Sequence, residues 1–414
     1  MKLERNARIC RNCFFFWAIP YTIYTYYLSL FLMEQGLGSS DIATLMTVAN
    51  ASALVFSLFA APIVDRMGRR TATFVFDLIS SALPCLLYLA SGSLAVALIA
   101  QTITGLNRIM STGYYLLMIE DTGEDNSIGA MNWFNIILVG AGLTTPIGGL
   151  VVSRMGLVAG EKLFLVLSFV SMTAQAIVRH ILVKETPTGE RLKAHKKDIS
   201  VKEMLRNYGK GLKYMFSNKA VLSAMIINGL VYVYYTVGTT ISMFFTPYFA
   251  DYRGLSGVTL GMVGGIYAGG TLFSMLLINP RIRPRQLYPA AIVSSLISIA
   301  GFILLILCPQ GNTILLFTAI VLISLSYGVL KTIADSVLAL QMTSEHSTTL
   351  YSFSFILSSV LGIMAIQILQ VLYTKSPNWL FGSNAVIVAL VLLDALIFIR
   401  FSSKNRQSTD TLQS

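Results

Sequence analysis

The sequence predicts an all-α membrane protein of twelve transmembrane helices in two six-helix bundles, and three observations predict it. Of the 414 residues, 55% are hydrophobic and only 12% are charged, with a mean hydropathy of +0.70. A soluble domain carries about a quarter charged residues. The apolar residues fall into a dozen continuous runs, each near the ~20 residues a helix needs to cross a bilayer. Continuity excludes the short alternating pattern of an outer-membrane barrel and leaves helices, which satisfy every backbone group within lipid. The third observation is that the basic residues gather in the turns on one side.

The expected spans are 13–33, 42–63, 71–91, 94–119, 128–152, 161–183, 219–247, 256–279, 287–308, 313–341, 348–373 and 380–401. Lys2, Arg5, Arg8 and Arg11 precede the first, and Arg66, Arg69 and Arg70 follow the second. Arg281, Arg283 and Arg285 follow the eighth, while Arg400, Lys404 and Arg406 close the chain. The other side holds only scattered Arg154, Lys162, Arg253 and Lys375. By the positive-inside rule both termini are expected in the cytoplasm, in a plasma membrane or a bacterial inner membrane. This asymmetry also accounts for the net charge of +11, so the lipid bilayer rather than nucleic acid is the expected partner.

One long polar segment, 184–219, separates spans six and seven. It gives a division into bundles 1–190 and 215–414, joined by a basic linker, 191–214, that contains Lys193, Lys196, Lys197, Lys202, Arg206, Lys210 and Lys213. Met204, Leu205, Tyr208, Leu212 and Tyr214 are spaced to form an amphipathic helix on an anionic leaflet; a solvated connector fits equally. The halves echo one another. Tyr24-Thr25-Tyr26-Tyr27 in span one answers Tyr232-Val233-Tyr234-Tyr235 in span seven, and Gly105-Leu106-Asn107-Arg108 in span four answers Gly328-Val329-Leu330-Lys331 in span ten. Such repeats mark pseudo-symmetric membrane folds.

Between spans two and three stands the tight turn Asp65-Arg66-Met67-Gly68-Arg69-Arg70. With six plus six spans and a basic linker, this turn resembles the signature G-x-x-x-D-R-x-G-R-R/K of the major facilitator superfamily. Ala61 stands where the first Gly is usual; Asp65, Arg66, Gly68, Arg69 and Arg70 are in register. The corresponding turn of the second half, 279–285, keeps the arginines and lacks the Asp. The resemblance implies a gating role. Asp65 would accept hydrogen bonds from a helix N-terminus of the other half, where an anion is stabilised by about 0.3–1 kcal/mol. Arg69 would pair with Glu120 or Asp121 at the end of span four. The alternative is an orientation turn with solvated charges.

Span five carries Gly140-Ala141-Gly142-Leu143-Thr144-Thr145-Pro146-Ile147-Gly148-Gly149. This looks like the G-P-x-x-G-G stretch of the family's drug–proton antiporters, with Thr145 in place of a Gly and one residue missing before the glycine pair. Small residues in membrane helices also simply permit close packing. That reading covers Gly261, Gly264, Gly265, Gly269 and Gly270 in span eight as well.

An ionisable side chain at membrane depth costs at least about 2.5–3.5 kcal/mol and so points to a cavity or a partner. Arg108 falls near the centre of span four and Lys331 near the centre of span ten, with Asp335 one helical turn later on the same face. In the resembled fold, spans one, four, seven and ten line the central pathway, so Arg108 and Lys331 would face one another and favour an anionic or zwitterionic group. Asp335 is the candidate proton-carrying carboxylate, with Lys331 tuning it; a charge-compensated structural pair is the alternative. Tyr24 and Tyr27 share one helix face, as do Tyr232 and Tyr235, and these pairs are candidate aromatic walls. Asn107, Asn132, Asn135 and Asn228 could bind solute or bridge helices. Asp77 and Asp394, nearer the helix ends, read as structural.

Four cysteines remain. Cys85 and Cys308 lie in apolar runs, whereas Cys10 and Cys13 form a lone CxxC without a second pair or a nearby His, so no metal site is expected. No phosphate-binding loop, H-E-x-x-H or G-x-S-x-G stretch is present, so neither an ATP-driven pump nor an enzyme is expected, and no cofactor. The expectation is a monomeric secondary transporter working by alternating access on a small organic solute, anionic or amphipathic, with protons as the drive. The rival readings are a multidrug or metabolite efflux antiporter with structural intramembrane charges, and a non-transporting receptor of the same fold.

Overall fold

The computed structural model describes residues 4–90, 93–120, 124–194, 215–340 and 347–410. The expectations for Asp121 and for 195–214 fall outside these residues, as does the side chain of Asn132. Twelve long helices make up most of the described chain. In the first half they are α1 (Arg5–Glu34), α2 (Ser39–Met67), α3 (Arg69–Ala90), α4 (Leu94–Met118), α5 (Trp133–Met155) and α6 (Leu157–Leu182). In the second they are α7 (Lys219–Gly238), α8 (Gly257–Arg281), α9 (Leu287–Leu307), α10 (Thr313–Leu340), α11 (Ser347–Lys375) and α12 (Trp379–Asp410). Eleven are long and apolar enough to cross a membrane. The twelfth is α1, in which Tyr21, Tyr24, Tyr26 and Tyr27 dilute the apolar content.

Packing divides the chain into two compact units. The first comprises Met1–Ile199 with Thr246–Gly265, and the second Ser200–Phe245 with Ile266–Ser414. A segment from the second half of the sequence, Thr246–Gly265, is built into the first unit. Its attachment is specific: the Tyr26 hydroxyl donates to the Leu260 carbonyl at 2.7 Å, and the Thr246 hydroxyl to the Tyr26 carbonyl at 2.7 Å. The Thr145 hydroxyl donates to the Gly261 carbonyl at 2.8 Å.

Within the first unit α6 packs along α1 through a stripe of Glu161, Phe164, Leu165, Ser168, Met172, Gln175 and Arg179, all buried. The spacing of three, four and seven puts them on one face. Hydroxyls tie the pair together, Ser168 donating to the Pro20 carbonyl at 3.2 Å and Ser171 to that of Phe16 at 2.6 Å. The second unit closes around aromatic rings. Tyr234 sits edge-on to Phe302 and Tyr327, at centroid distances of 5.6 and 5.2 Å, and Phe381 stacks on Phe302 at 5.9 Å. Such pairs add about 0.5–1.5 kcal/mol each beyond area burial.

Two spans break where continuous helix was expected. Span seven, expected over 219–247, ends at Gly238, and Thr239 is extended. A Cβ on Gly238 would lie 2.4 Å from the Asn384 side chain, and the Thr239 hydroxyl turns back to the Tyr235 carbonyl at 2.7 Å. Span four is interrupted between Thr104 and Asn107. There Gly105 lies against Ser52 of α2 so closely that a Cβ would come within 2.4 Å of its hydroxyl.

Candidate functional site

Gly68 joins α2 to α3 with φ +86, a conformation open to Gly and costly for other residues. The turn brings Arg69 inward, its side chain only 3% exposed. The guanidinium pairs with Asp65 at 2.7 Å and Glu120 at 3.0 Å. Glu120 is thus the acid at the end of span four that Arg69 meets. Asp65 itself is 43% exposed, and Arg66 points to solvent.

Glu185 completes the cluster and was not read from the sequence as functional. Its two carboxylate oxygens accept the backbone N–H groups of Arg69 and Arg70 at 3.0 and 3.1 Å. It therefore caps the positive end of α3, where an anion is stabilised by the helix dipole and by charge-assisted hydrogen bonds. Thr186 donates its hydroxyl to Glu120, and Arg70 donates from Nε to the His180 carbonyl at 2.8 Å. Asn6 exchanges hydrogen bonds with the backbone of Lys184. The α2–α3 turn, the start of α1, the end of α4 and the strip after α6 are thereby held in one polar cluster. Thr186 precedes Pro187, the first residue of the short helix Pro187–Ala194, a step that marks a helix start. Substituting Glu185 by Ala is expected to cost about 1–2 kcal/mol of stability, read as a lowered melting temperature of the purified protein. Unchanged melting would remove its capping role.

The intramembrane candidates sit differently in the two units. In the first, Arg108 is half-buried just after the break in α4, within electrostatic reach of Tyr21. Asn107 accepts from the Ser111 hydroxyl at 2.9 Å. Tyr24 and Tyr27 are 4% and 0% exposed, packed inside the unit, and Tyr27 donates to the Thr145 carbonyl at 3.4 Å. Asn135 is exposed on α5. In the second unit, Lys331 Nζ contacts both oxygens of Asp335, at 2.7 and 2.5 Å. The two side chains are 36% and 52% exposed, and the pair lies in the last third of α10 rather than at its centre. Tyr232 and Tyr235 share a half-buried face with their rings 6.2 Å apart. Asn228 accepts from the Ser354 hydroxyl at 2.9 Å, a bridge from α7 to α11.

Three buried ionisable side chains stand apart from these. Asp77 pairs with Arg179 at 2.7 Å, with the side chains 1% and 4% exposed. Glu161 is fully buried, with neither oxygen hydrogen-bonded among the described residues. No cluster of three or more His, Cys, Asp or Glu suited to a metal ion occurs among the described residues.

Comparison with known proteins bears on the whole arrangement. Solved structures share the fold at low identity. A POT family transporter in complex with a thioalcohol-conjugated peptide matches with a TM-score of 0.72 at 14% identity, over 97% of this chain and 96% of its own. A D-xylose-proton symporter matches at 0.68 and 13%, over 93% and 96%. A bacterial homologue of the iron transporter ferroportin in an inward-facing state matches at 0.68 and 13%, over 97% and 100%. No curated protein matches in sequence. A family model, that of the Major Facilitator Superfamily, matches residues 12–366. Twelve helices, the Asp65–Arg70 turn with its Arg69–Glu120 pair, and a family match over most of the sequence agree. The chain is a multi-pass membrane transporter, not an enzyme, and it belongs to the Major Facilitator Superfamily.

Proposed function

We propose that this secondary transporter moves a small organic solute, anionic or amphipathic, by alternating access coupled to protons. The observation that carries the reading is the pair of intramembrane cations at matching places in the repeat. Arg108 of α4 belongs to the first unit and Lys331 of α10 to the second. A cation held at membrane depth is costly unless water, a carboxylate or a solute meets it. A Lys331–Asp335 pair one-third to one-half exposed suits a water-reached face better than acyl chains. Asp335 is then the proton carrier, released from Lys331 when it is protonated. The side chains of Tyr232, Tyr235, Asn107, Asn132, Asn135 and Asn228 would shape the rest of the site, whereas Tyr24 and Tyr27, expected as a second aromatic wall, are packed inside the first unit. Among the solved relatives, the D-xylose symporter is named as proton-driven, which favours the same drive here. The basic turns favour cytoplasmic termini and orientation in a cell membrane. The Arg69 cluster, with Asp65, Arg66, Gly68, Arg70, Glu120 and Asp121, is the proposed cytoplasmic gate, working in a monomer.

Purified protein in proteoliposomes with an imposed pH gradient tests this, after a thermal-shift screen of metabolites has supplied a solute. Asp335→Asn is expected to abolish gradient-driven accumulation and leave counterflow exchange intact. Unchanged accumulation would take Asp335 out of the coupling. Arg108→Gln and Lys331→Gln are expected to weaken anionic solutes by about tenfold or more, the loss of a charged hydrogen bond. An equal loss for neutral and cationic solutes would assign both residues to structure. Absence of flux for every solute under any gradient would favour a receptor.

A further inference from the structure

The polar side chains on the buried stripe of α6 have clear structural uses, with one exception. Ser168 holds the Pro20 carbonyl, and Gln175 and Arg179 hold Asp77. Glu161, two helical turns before Ser168 on the same face, is 0% exposed, yet neither carboxyl oxygen has a hydrogen-bond partner among the described residues. No ion pair reaches it among them either. Nearby charges turn away: Lys162 and Arg154 are exposed. The titratable groups facing it are the Tyr24 and Tyr27 hydroxyls of α1 and the Cys85 thiol of α3. Tyr21 lies edge-on to Tyr24 at 5.7 Å, and Tyr88 is in electrostatic range of it. The pocket thus holds neutral donors and no cation. An ionised carboxylate buried without partners is far costlier than the neutral acid, so the closed pocket fits Glu161 with its proton on.

The surroundings connect that proton to a joint. Tyr27 is fully buried, its ring 6.0 Å from Phe164 and in contact with Gly148. Its hydroxyl donates to the Thr145 carbonyl at 3.4 Å, a long bond that is easily given up. The Thr145 hydroxyl in turn donates to the Gly261 carbonyl at 2.8 Å, and the neighbouring Tyr26 to that of Leu260 at 2.7 Å. Ionised Glu161 is a stronger acceptor than an amide carbonyl, and Tyr27 packs on Phe164, one turn along the same face of α6.

We propose that Glu161 is a proton-binding site whose ionisation draws Tyr27 off Thr145 and loosens the joint of α1 and α5 with the first turns of α8. The proton passes to and from bulk water, and no other bond is made or broken. The proposal deepens the proton-coupled reading and rests on it for its place in transport. It adds a second carboxylate, in the first unit, to Asp335 in the second.

The full chain in lipid nanodiscs, without solute, allows the test. Infrared difference spectra across a pH series report the carbonyl band of a protonated acid, and hydrogen–deuterium exchange of peptides covering 257–265, taken relative to the base-catalysed intrinsic rate at each pH, reports the joint. In the wild type the band is expected to vanish as pH rises, and exchange at 257–265 to increase roughly tenfold with the same midpoint, as local opening requires. Glu161→Gln, neutral and near in shape, should lack the band and keep exchange low at every pH. Tyr27→Phe should retain the band and lose the pH dependence of exchange, which keeps the proposal testable if the Gln variant does not fold. An unchanged band in Glu161→Gln, or the same pH response at 257–265 in wild type and both variants, would overturn it. Neither readout needs transport. Absence of the band from the wild type at every pH, with gradient-driven flux intact, would sink this site alone, and a wild-type band without flux would sink only the transport reading.

Discussion

Replacing Arg179 by Met is expected to destabilise the first unit by about 3–5 kcal/mol, the cost of removing one partner from a buried ion pair. The pair joins α3 to α6, with N–O at 2.7 Å and both side chains out of solvent. Asp77 Oδ2 also accepts from Gln175 Nε2 at 2.6 Å, while Asp77 Oδ1 has no hydrogen-bond partner among the described residues. Without Arg179 the Asp77 charge would rest on one amide. The Arg179 guanidinium also lies 5.0 Å over the Tyr114 ring, and its removal takes away that cation–π attraction. All four cysteines are free and buried, so a thiol-reactive dye follows unfolding directly. The melting temperature is expected to fall on the order of 10 °C. The double variant Asp77→Leu, Arg179→Met removes both charges and should regain most of the loss, because a buried pair is worth little against apolar residues of similar size. A double variant as unstable as the single would show that packing around Tyr114, not charge, holds this site.

That pair illustrates how far the sequence could be read. Hydropathy located the spans because each run must exceed a bilayer thickness in one stretch. The Asp65–Arg70 turn pointed to an acid at the end of span four as the partner of Arg69 because the family pattern places Arg69 and only Glu120 and Asp121 close that span with negative charge. Asp77 read as a structural carboxylate, but Arg179 lies 102 residues away, and nothing local selects one basic residue of span six over another. Glu185 escaped notice because a cap supplied from 116 residues away leaves no periodic trace. It lies in the polar segment 184–219 that separates spans six and seven. Glu161 was missed for a related reason. A carboxylate near the start of a predicted span reads as a headgroup neighbour, and only packing of α1 and α3 around α6 turns that place into an interior. The break of α7 at Gly238 was hidden because 220–247 carries no charge, and helix ends inside uncharged runs depend on tertiary neighbours such as Asn384.

The glycines of α5 and α8 carry the second large expectation. Close packing was legible from their density, but not which helices would meet. A Cβ on Gly149 would lie 2.4 Å from the Gly257 carbonyl oxygen and 3.0 Å from Val258 Cα; one on Gly261 would lie 2.5 Å from the Thr145 carbonyl oxygen. These obstacles are backbone, so neither helix can yield without separating. Gly148, one residue earlier, differs: its Cβ would meet only side chains, Tyr27 at 3.0 Å and Ile23 at 3.2 Å. Small residues are what let membrane helices approach, and van der Waals attraction at that short range holds them together where lipid gives no hydrophobic drive. Gly149→Ala and Gly261→Ala are therefore expected to cost about 1–3 kcal/mol each, the range for overpacking a fitted interface, and Gly149→Val more. Gly148→Ala should cost less than either. Hydrogen–deuterium exchange over 257–265 should rise in the first three variants and stay near wild type in Gly148→Ala. Equal effects at Gly148 and Gly149 would mean that the α5–α8 approach is looser in the membrane than the 2.4 Å clearance requires, and that small size here serves another purpose.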